Sequence, residues 1–460
     1  MRNNLFKKQP ARRVSSLSVK GILLVFFTIA ALFFFSQIFE IEKPQIKLLS
    51  DIKTLNPETE IHFALSDRKR GIRQVTISLE QAGKNVKVYD QKLERQGNFK
   101  TEGPRSLSVN LTLKNEGIRT SDGEARLMIT VQDYSLWGRL KGNTTSSIYP
   151  VTLDATPPAL TILDTPASLR QGSVGIVVYL ANETIEQHGV LLNDNFHPGF
   201  PLPDRGDNAY GVLFSTPFDT KKTIKAFLQA SDRAGNMSSF PFGVNLRSLL
   251  IKEDEIHISE DFLERKIPEF GEHYPEMTES MIDKYIYINR EVRRLNNDRI
   301  KEICSKSAPE KLWNGKFNRM ARSSRKASFA DKRQYFYMGR LVDETVHLGI
   351  DLASVRHADV QAANRGEVVF ADYLGIYGNM VILDHGIGVF SLYSHLSQIF
   401  AAKGDVVSSG AVIGKTGTSG MAGGDHLHLS MLVNGIFVNP VEWWDSSWVN
   451  LNILQYLNDV

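Results

Sequence analysis

Six of the eleven histidines in this chain fall between His347 and His428, and that crowding marks where chemistry is to be sought. His347 and Asp351 stand four apart in HLGID. A helix would bring both side chains to one face, but Gly349 between them is a poor helix former. A bent strand or turn that converges an imidazole and a carboxylate is therefore the expected geometry. Either arrangement can chelate one cation. His426 and His428 lie in DHLHLSMLV, where apolar and polar residues alternate as on a strand. Residues two apart on a strand project from the same face, about 7 Å apart, so one imidazole can bind a metal while the other faces the same pocket unligated. His395 closes another alternating stretch, VFSLYSHL.

His347, Asp351 and one member of the HLH pair supply two nitrogens and one oxygen, a catalytic zinc set that leaves a fourth position for water. Two histidines then remain for proton transfer. Zinc lowers the pKa of bound water to about 7, and a neighbouring imidazole can take its proton and pass one to a leaving amine. Such a set is suited to hydrolysis. Cys304, the only cysteine, cannot form an internal disulfide and excludes cysteine-built zinc or iron–sulfur frameworks, so any metal is held by His and carboxylate. His62, His188, His197, His257, His273, His357 and His385 read as ordinary hydrogen-bonded histidines. The segment GAVIGKT is one residue short of a phosphate loop between Gly410 and Gly414, which removes nucleotide binding.

In their order, HLGID, DHGIGVFSLYSHL and GDHLHLSMLVNG resemble the lysostaphin-type, or LytM-like, zinc metalloendopeptidases that cut peptidoglycan peptides. The resemblance runs from about Tyr335 to Trp444. Carried over position by position, it implies that His347, Asp351 and His428 hold one Zn2+. It also implies that His395 and His426 are the catalytic histidines, activating water and stabilising the oxyanion. The stretch VVSSGAVIGKTGTSG looks like the turn-rich strands of that family, and the implied fold is a small antiparallel β domain with a groove over the metal. Some members have lost their ligands and activate separate cell-wall amidases, whereas all five positions are intact here. The implied function is a murein endopeptidase of cell-wall remodelling or division. The alternative is a catalytically silent envelope adapter that binds peptidoglycan and activates an amidase.

These residues must be positioned by a much longer chain. At 460 residues it exceeds one compact core, and 42% apolar with 23% charged residues is a globular composition, neither disordered nor polytopic. Fifty-four Lys and Arg against 51 Asp and Glu leave +3, too little to suggest nucleic acid. Residues Gly21 to Phe39 carry no charge, and at about 1.5 Å per residue a helix there nearly crosses a hydrocarbon core of about 30 Å. Arg2, Lys7, Lys8, Arg12, Arg13 and Lys20 precede that run with no acid, and Glu40 and Glu42 follow it. The positive-inside rule then places residues 1–20 in the cytoplasm and everything after 39 in the periplasm or outside the cell. The exit SQIFEIEKPQ has no small-x-small cleavage site, which favours a retained single-pass anchor, 21–39, over a cleaved signal peptide.

From Pro44 to Leu250 short alternating stretches such as QVTISLEQ and VGIVVYLAN are separated by turn residues. Stretches beginning at Lys43 and Thr156 look like copies of one unit. This suggests two β-sandwich modules, 44–153 and 154–250. The DATPP and ASDRAGN segments resemble bacterial immunoglobulin-like modules, which are read as spacers, with binding of envelope protein partners as the other reading. Residues Ile251 to Ser307 switch to helical spacing, with Ser259 as an N-cap, and are placed to fold over a C-terminal groove. The basic stretch Lys316 to Arg333 reads as a solvated loop. The expected fold is mainly β and multidomain: a transmembrane helix, two immunoglobulin-like sandwiches and a helical connector with its basic loop, 251–334. A zinc-peptidase domain, 335–445, and a tail, 446–460, complete it.

Overall fold

The computed structural model describes residues 16–96, 102–113, 121–221, 224–275, 277 and 280–457. It is mainly β with few helices, and it divides into two compact units, Met1–Thr156 with Arg233–Asn236, and Pro157–Asp232 with Met237–Val460.

The first unit opens with the Ser16–Ile38 helix, which contains most of the uncharged run and leaves Ile22, Phe26 and Phe33 exposed. The side chains of this helix are described only over residues 20–36. Among the described residues no helix is long and apolar enough to cross a membrane. Beyond it, one sheet of five strands centres on Gly123–Asp133, and one of three strands centres on Glu60–Ser66. Alternation along these strands puts Ile61, Phe63 and Leu65 from the smaller sheet into one core with Val75, Ile77, Leu127 and Ile129 from the larger.

The second unit begins with two four-stranded sheets. One is ordered Phe200–Pro201, Ala209–Ser215, Val174–Ala181, Leu160–Asp164, and the other Asn195–Pro198, Gln187–Leu192, Ala226–Ser231, Met237–Phe242. Val177, Tyr179, Val212 and Leu228 fill the space between them. The opposite face of the first sheet is buried as well. Val174, Ile176, Val178 and Leu213 join the same apolar cluster as Trp313, Met431 and Trp443 of the C-terminal region. A free spacer would keep that face solvated. Here Ser173 Oγ donates to Glu442 Oε2 at 2.7 Å, Asn439 N to Gly172 O at 2.8 Å and Asn434 Nδ2 to Leu213 O at 2.8 Å.

The helical stretch opens with a strand, Glu253–Ile258, paired in parallel with Lys332–Tyr337. Ser259 then caps the Glu260–Gly271 helix through a 3.2 Å bond from Phe262 N to its Oγ, and the Met281–Tyr287 and Arg293–Ile303 helices follow, joined by one π turn. The basic stretch is not a solvated loop. Phe317, Met320 and Phe329 are buried between its charges, and Ser324–Ala327 is a strand on Ile350–Ala353.

The principal C-terminal sheet runs Ser324–Ala327, Ile350–Ala353, Leu427–Val433, Val389–Leu396, Asn379–Asp384, Gly366–Tyr373, Val406–Val407, all antiparallel. Its two central strands, Val389–Leu396 and Leu427–Val433, are buried at every position. Val389, Tyr393 and Met431 pack with Trp443, while Phe390, Leu392 and Leu432 pack with Phe270, Ile288 and Ile300 of the helices. Covering both faces removes the in–out alternation that their sequences suggest.

Candidate metal centre

Strand register assembles the site. Asp351 lies opposite His428 in one antiparallel pair, and His428 lies opposite Ser394, beside His395, in the next. His347 sits in the turn between the Arg340–Val346 and Ile350–Ala353 strands, as the glycine in HLGID requires. Its backbone is fixed by His347 N to Asp331 O at 2.9 Å and Ala330 N to His347 O at 2.8 Å. Gly349 is needed for space: a Cβ there would lie 2.5 Å from His428 Nε2 and 2.6 Å from Ser430 Oγ.

His347, Asp351 and His428 are buried, and the atoms they offer a metal lie within 4.8 Å of one another. His347 Nε2 is 2.9 Å from both Asp351 Oδ1 and His428 Nδ1, and His428 Nδ1 is 3.0 Å from Asp351 Oδ1. The outer contacts decide the tautomers. His347 Nδ1–H donates to Ser328 O at 2.9 Å, leaving a lone pair on Nε2. Ser430 Oγ spends its hydrogen on Leu348 O at 2.8 Å, so at 3.0 Å it accepts from His428 Nε2–H, leaving a lone pair on Nδ1. Three acceptor atoms thus face one another with no proton among them. That contact is repulsive unless a cation stands within it, and two nitrogens with one carboxylate oxygen suit a zinc-like ion with a position left open.

The remaining carboxylate oxygen, Asp351 Oδ2, accepts from Arg333 at 2.7 Å. Burial opposes ionisation of Asp351, but the imidazoles around it, His347 first, outweigh burial and hold its pKa well below the usual range. Burial pushes His428 down to about 4, so its ring is neutral across the physiological range.

His395 and His426 stand beside this triangle, their ring centroids 4.9 Å apart, with His395 5.8 Å from His428. His395 Nδ1–H donates to Ser419 O at 2.9 Å and His426 Nδ1–H to Gly424 O at 2.8 Å, which in the neutral rings leaves a lone pair on each Nε2. His426 Nε2 is 3.4 Å from Asp351 Oδ1. The two rings differ in proton affinity. Burial, then His426 and His428, push His395 well below the ordinary value, whereas for His426 burial is outweighed by Asp351 and the pKa rises. His395 also has φ +62°, at a register shift between the Asn379–Asp384 and Val389–Leu396 strands. That left-handed backbone costs about 1 kcal/mol or more for a non-glycine residue and is typical of functional positions.

The five residues singled out by type and spacing therefore converge. His357 and His385 do not join them: His357 bonds Ser397 Oγ at 3.0 Å, and His385 is buried between Arg365 O and Ser391 Oγ, both at 2.7 Å. Sequence reasoning missed Arg333, hidden in a basic run, and the carbonyl of Ser328, which no side-chain pattern reveals. Ser430 was missed too, although it continues the period-two face of His426 and His428, a signal that could have found it. A groove of about 570 Å³ runs over the site, and Phe262, Arg265 and Arg293 of the helical segment line it together with Tyr377 and Met421.

Residues 345–440 match Peptidase family M23. The chain is 43% identical over 96 residues to the DD-carboxypeptidase/endopeptidase Mpg of Neisseria meningitidis serogroup B, a match covering 21% of this chain and 22% of that protein. It is 36% identical over 96 residues to the peptidoglycan DD-endopeptidase ShyA of Vibrio cholerae, covering 21% and 22%. It is 32% identical over 107 residues to the murein hydrolase activator EnvC of Escherichia coli, covering 23% and 26%. The chain thus spans about a quarter or less of the length of these relatives. It carries a peptidase M23 domain of the LytM-like type at residues 345–440.

Proposed function

We propose, from that M23 domain, that the protein is a single-pass membrane-anchored zinc endopeptidase that hydrolyses peptide bonds of peptidoglycan. The observation that carries the reading is the ring of unprotonated donors, His347 Nε2, Asp351 Oδ1 and His428 Nδ1, which a cation alone makes stable. In this reading those three residues are the zinc ligands, and the bound ion supplies Lewis acidity to the attacking water and the scissile carbonyl. His395 and His426 do the proton work. Each presents its Nε2 beside the centre, positioned to take the proton of water when neutral, to steady the developing oxyanion when protonated and to return a proton to the leaving amine. Arg333 holds Asp351 by one oxygen so that the other stays turned to the ion.

Peptidoglycan as substrate follows the name of the Vibrio relative, a peptidoglycan DD-endopeptidase. The charge asymmetry around Gly21–Phe39 and the exposed apolar side chains of the Ser16–Ile38 helix support an anchor with a cytoplasmic N-terminus and a periplasmic or extracellular bulk. The two β regions after it are read as immunoglobulin-like modules. The likeness to EnvC keeps the adapter reading in view. Mass spectrometry of soluble fragments from purified peptidoglycan, digested by the zinc-loaded full-length protein in detergent, separates the two. Peptide-cleaved fragments that vanish with His395→Ala support the enzyme. No fragments alone, but faster release when an amidase is added, supports the adapter.

A further inference from the structure

We propose a second cation site, of the hard-oxygen kind that takes Ca2+, formed by Glu40, Asp67 and Asp133 in the N-terminal unit. The three residues are 2%, 3% and 0% exposed, and each offers a carboxylate oxygen within 4.8 Å of the others. Clustered acids alone would not make a site. The second observation is what their oxygens lack. Asp67 Oδ1 accepts from Gly71 N at 2.6 Å, but its Oδ2 is buried with no hydrogen-bond partner. Glu40 Oε2 accepts from Arg70 N at 3.1 Å, but its Oε1 is likewise buried and unpartnered. Asp133 is held rigidly, Oδ1 by Ser135 N at 3.0 Å and Asn143 N at 2.7 Å, and Oδ2 by Asn143 Nδ2 at 2.8 Å.

Two buried carboxylate oxygens without a protein donor are costly unless another partner replaces their lost hydration. Burial, then Asp67, push the Glu40 carboxyl up, with Lys69 only partly offsetting them, and burial pushes Asp133 up, so these two carboxyls call for further positive charge. A divalent cation supplies it. An all-oxygen, carboxylate-rich set selects Ca2+ over zinc, and a dedicated all-protein carboxylate cage is commoner for Ca2+ than for Mg2+. The sequence repeats the pattern. Asp154 precedes the Leu160–Asp164 strand as Glu40 precedes Gln45–Leu48, Glu183 follows Val174–Ala181 as Asp67 follows Glu60–Ser66, and Asp232 follows Ala226–Ser231 as Asp133 ends Gly123–Asp133. Glu40 lies two residues past the end of the Ser16–Ile38 helix, and its carbonyl accepts from Ser135 Oγ and Asn143 Nδ2, both at 2.8 Å. Bound Ca2+ would therefore stiffen the joint between that helix and the first β module.

Full-length, zinc-loaded protein in detergent is dialysed against radiolabelled calcium, and its thermal unfolding is followed with and without Ca2+. The wild type is expected to bind one calcium more per chain than Glu40→Gln/Asp67→Asn, and to show a Ca2+-dependent rise in unfolding temperature that the double variant lacks. Asp67→Asn, which keeps the acceptor for Gly71, carries the same comparison should the double variant fail to fold. Equal calcium binding by wild type and variant overturns the proposal. So does a wild type that Ca2+ leaves unmoved but mild acid stabilises, since the cluster is then held by shared protons.

Discussion

The tautomers of two histidines are set by a carbonyl and a hydroxyl outside the metal triangle, Ser328 O and Ser430 Oγ. Ser430→Ala leaves His428 Nε2 without its acceptor and frees the ring to turn. Loss of such an outer partner is expected to cost about one to two decades in metal affinity. Competition with a chromophoric chelator measures it, and unchanged affinity would contradict the role. Gly349→Ala is expected to do at least as much, because its methyl would meet His428 Nε2 at 2.5 Å. Acid should act through His426 before His395, since Asp351 raises the first while burial lowers the second. A base must be neutral to accept a proton, so peptidoglycan hydrolysis should decline as the pH falls through the histidine range. A flat rate profile across that range would contradict it.

Among the elements, the Glu260–Gly271 helix has the clearest effect on the site. Buried Lys266 bonds Thr418 O, its neighbour Glu269 accepts from Gly420 N, and the residue between, Ser419, gives the carbonyl that orients His395. Lys266→Met should therefore lower the hydrolysis rate about tenfold with zinc content intact, the size expected when a general base is misplaced. Loss of zinc instead would indicate general unfolding. The N-cap at Ser259 and the strands were legible because capping and alternation are local signals. The Glu253–Ile258 strand was not, because its partner, Lys332–Tyr337, is remote in sequence. Nor could helical spacing tell a lid from a wall: Phe270, Ile288 and Ile300 share a core with Phe390 and Leu432. Removing residues 251–310 should uncover that core and lower the unfolding temperature, not release a faster enzyme. The Pro440–Trp444 helix carries a pH-sensitive contact, since burial raises Glu442 to about 7. The fold favours its protonated form, so its contribution is full below about 4.5 and is lost as the pH rises through about 7. Glu442→Gln should remove this slope and stabilise the protein above neutrality by about 1 kcal/mol, after allowance for partial exposure. Thermal unfolding on both sides of neutrality checks it.

For the whole molecule, composition and strand patterning made the mainly β character plain, and three short motifs located the site. The apolar outer face of the Ala209–Ser215 and Val174–Ala181 strands was the part left unread. A strand buried on both sides carries no alternation to say which neighbour covers which face, and Val174, Ile176 and Leu213 gave no sign that Trp443 would be among theirs. The structural seam accordingly lies at residue 156, with the second β region, apart from Arg233–Asn236, and the M23 domain inside one unit. Shuffling at the level of genes would have to respect it. A chimaera that imports only the M23 segment from a relative inherits a naked hydrophobic flank, whereas one spliced at the seam transplants that domain with its own buttress, so these two blocks are expected to be exchanged as a single heritable cassette.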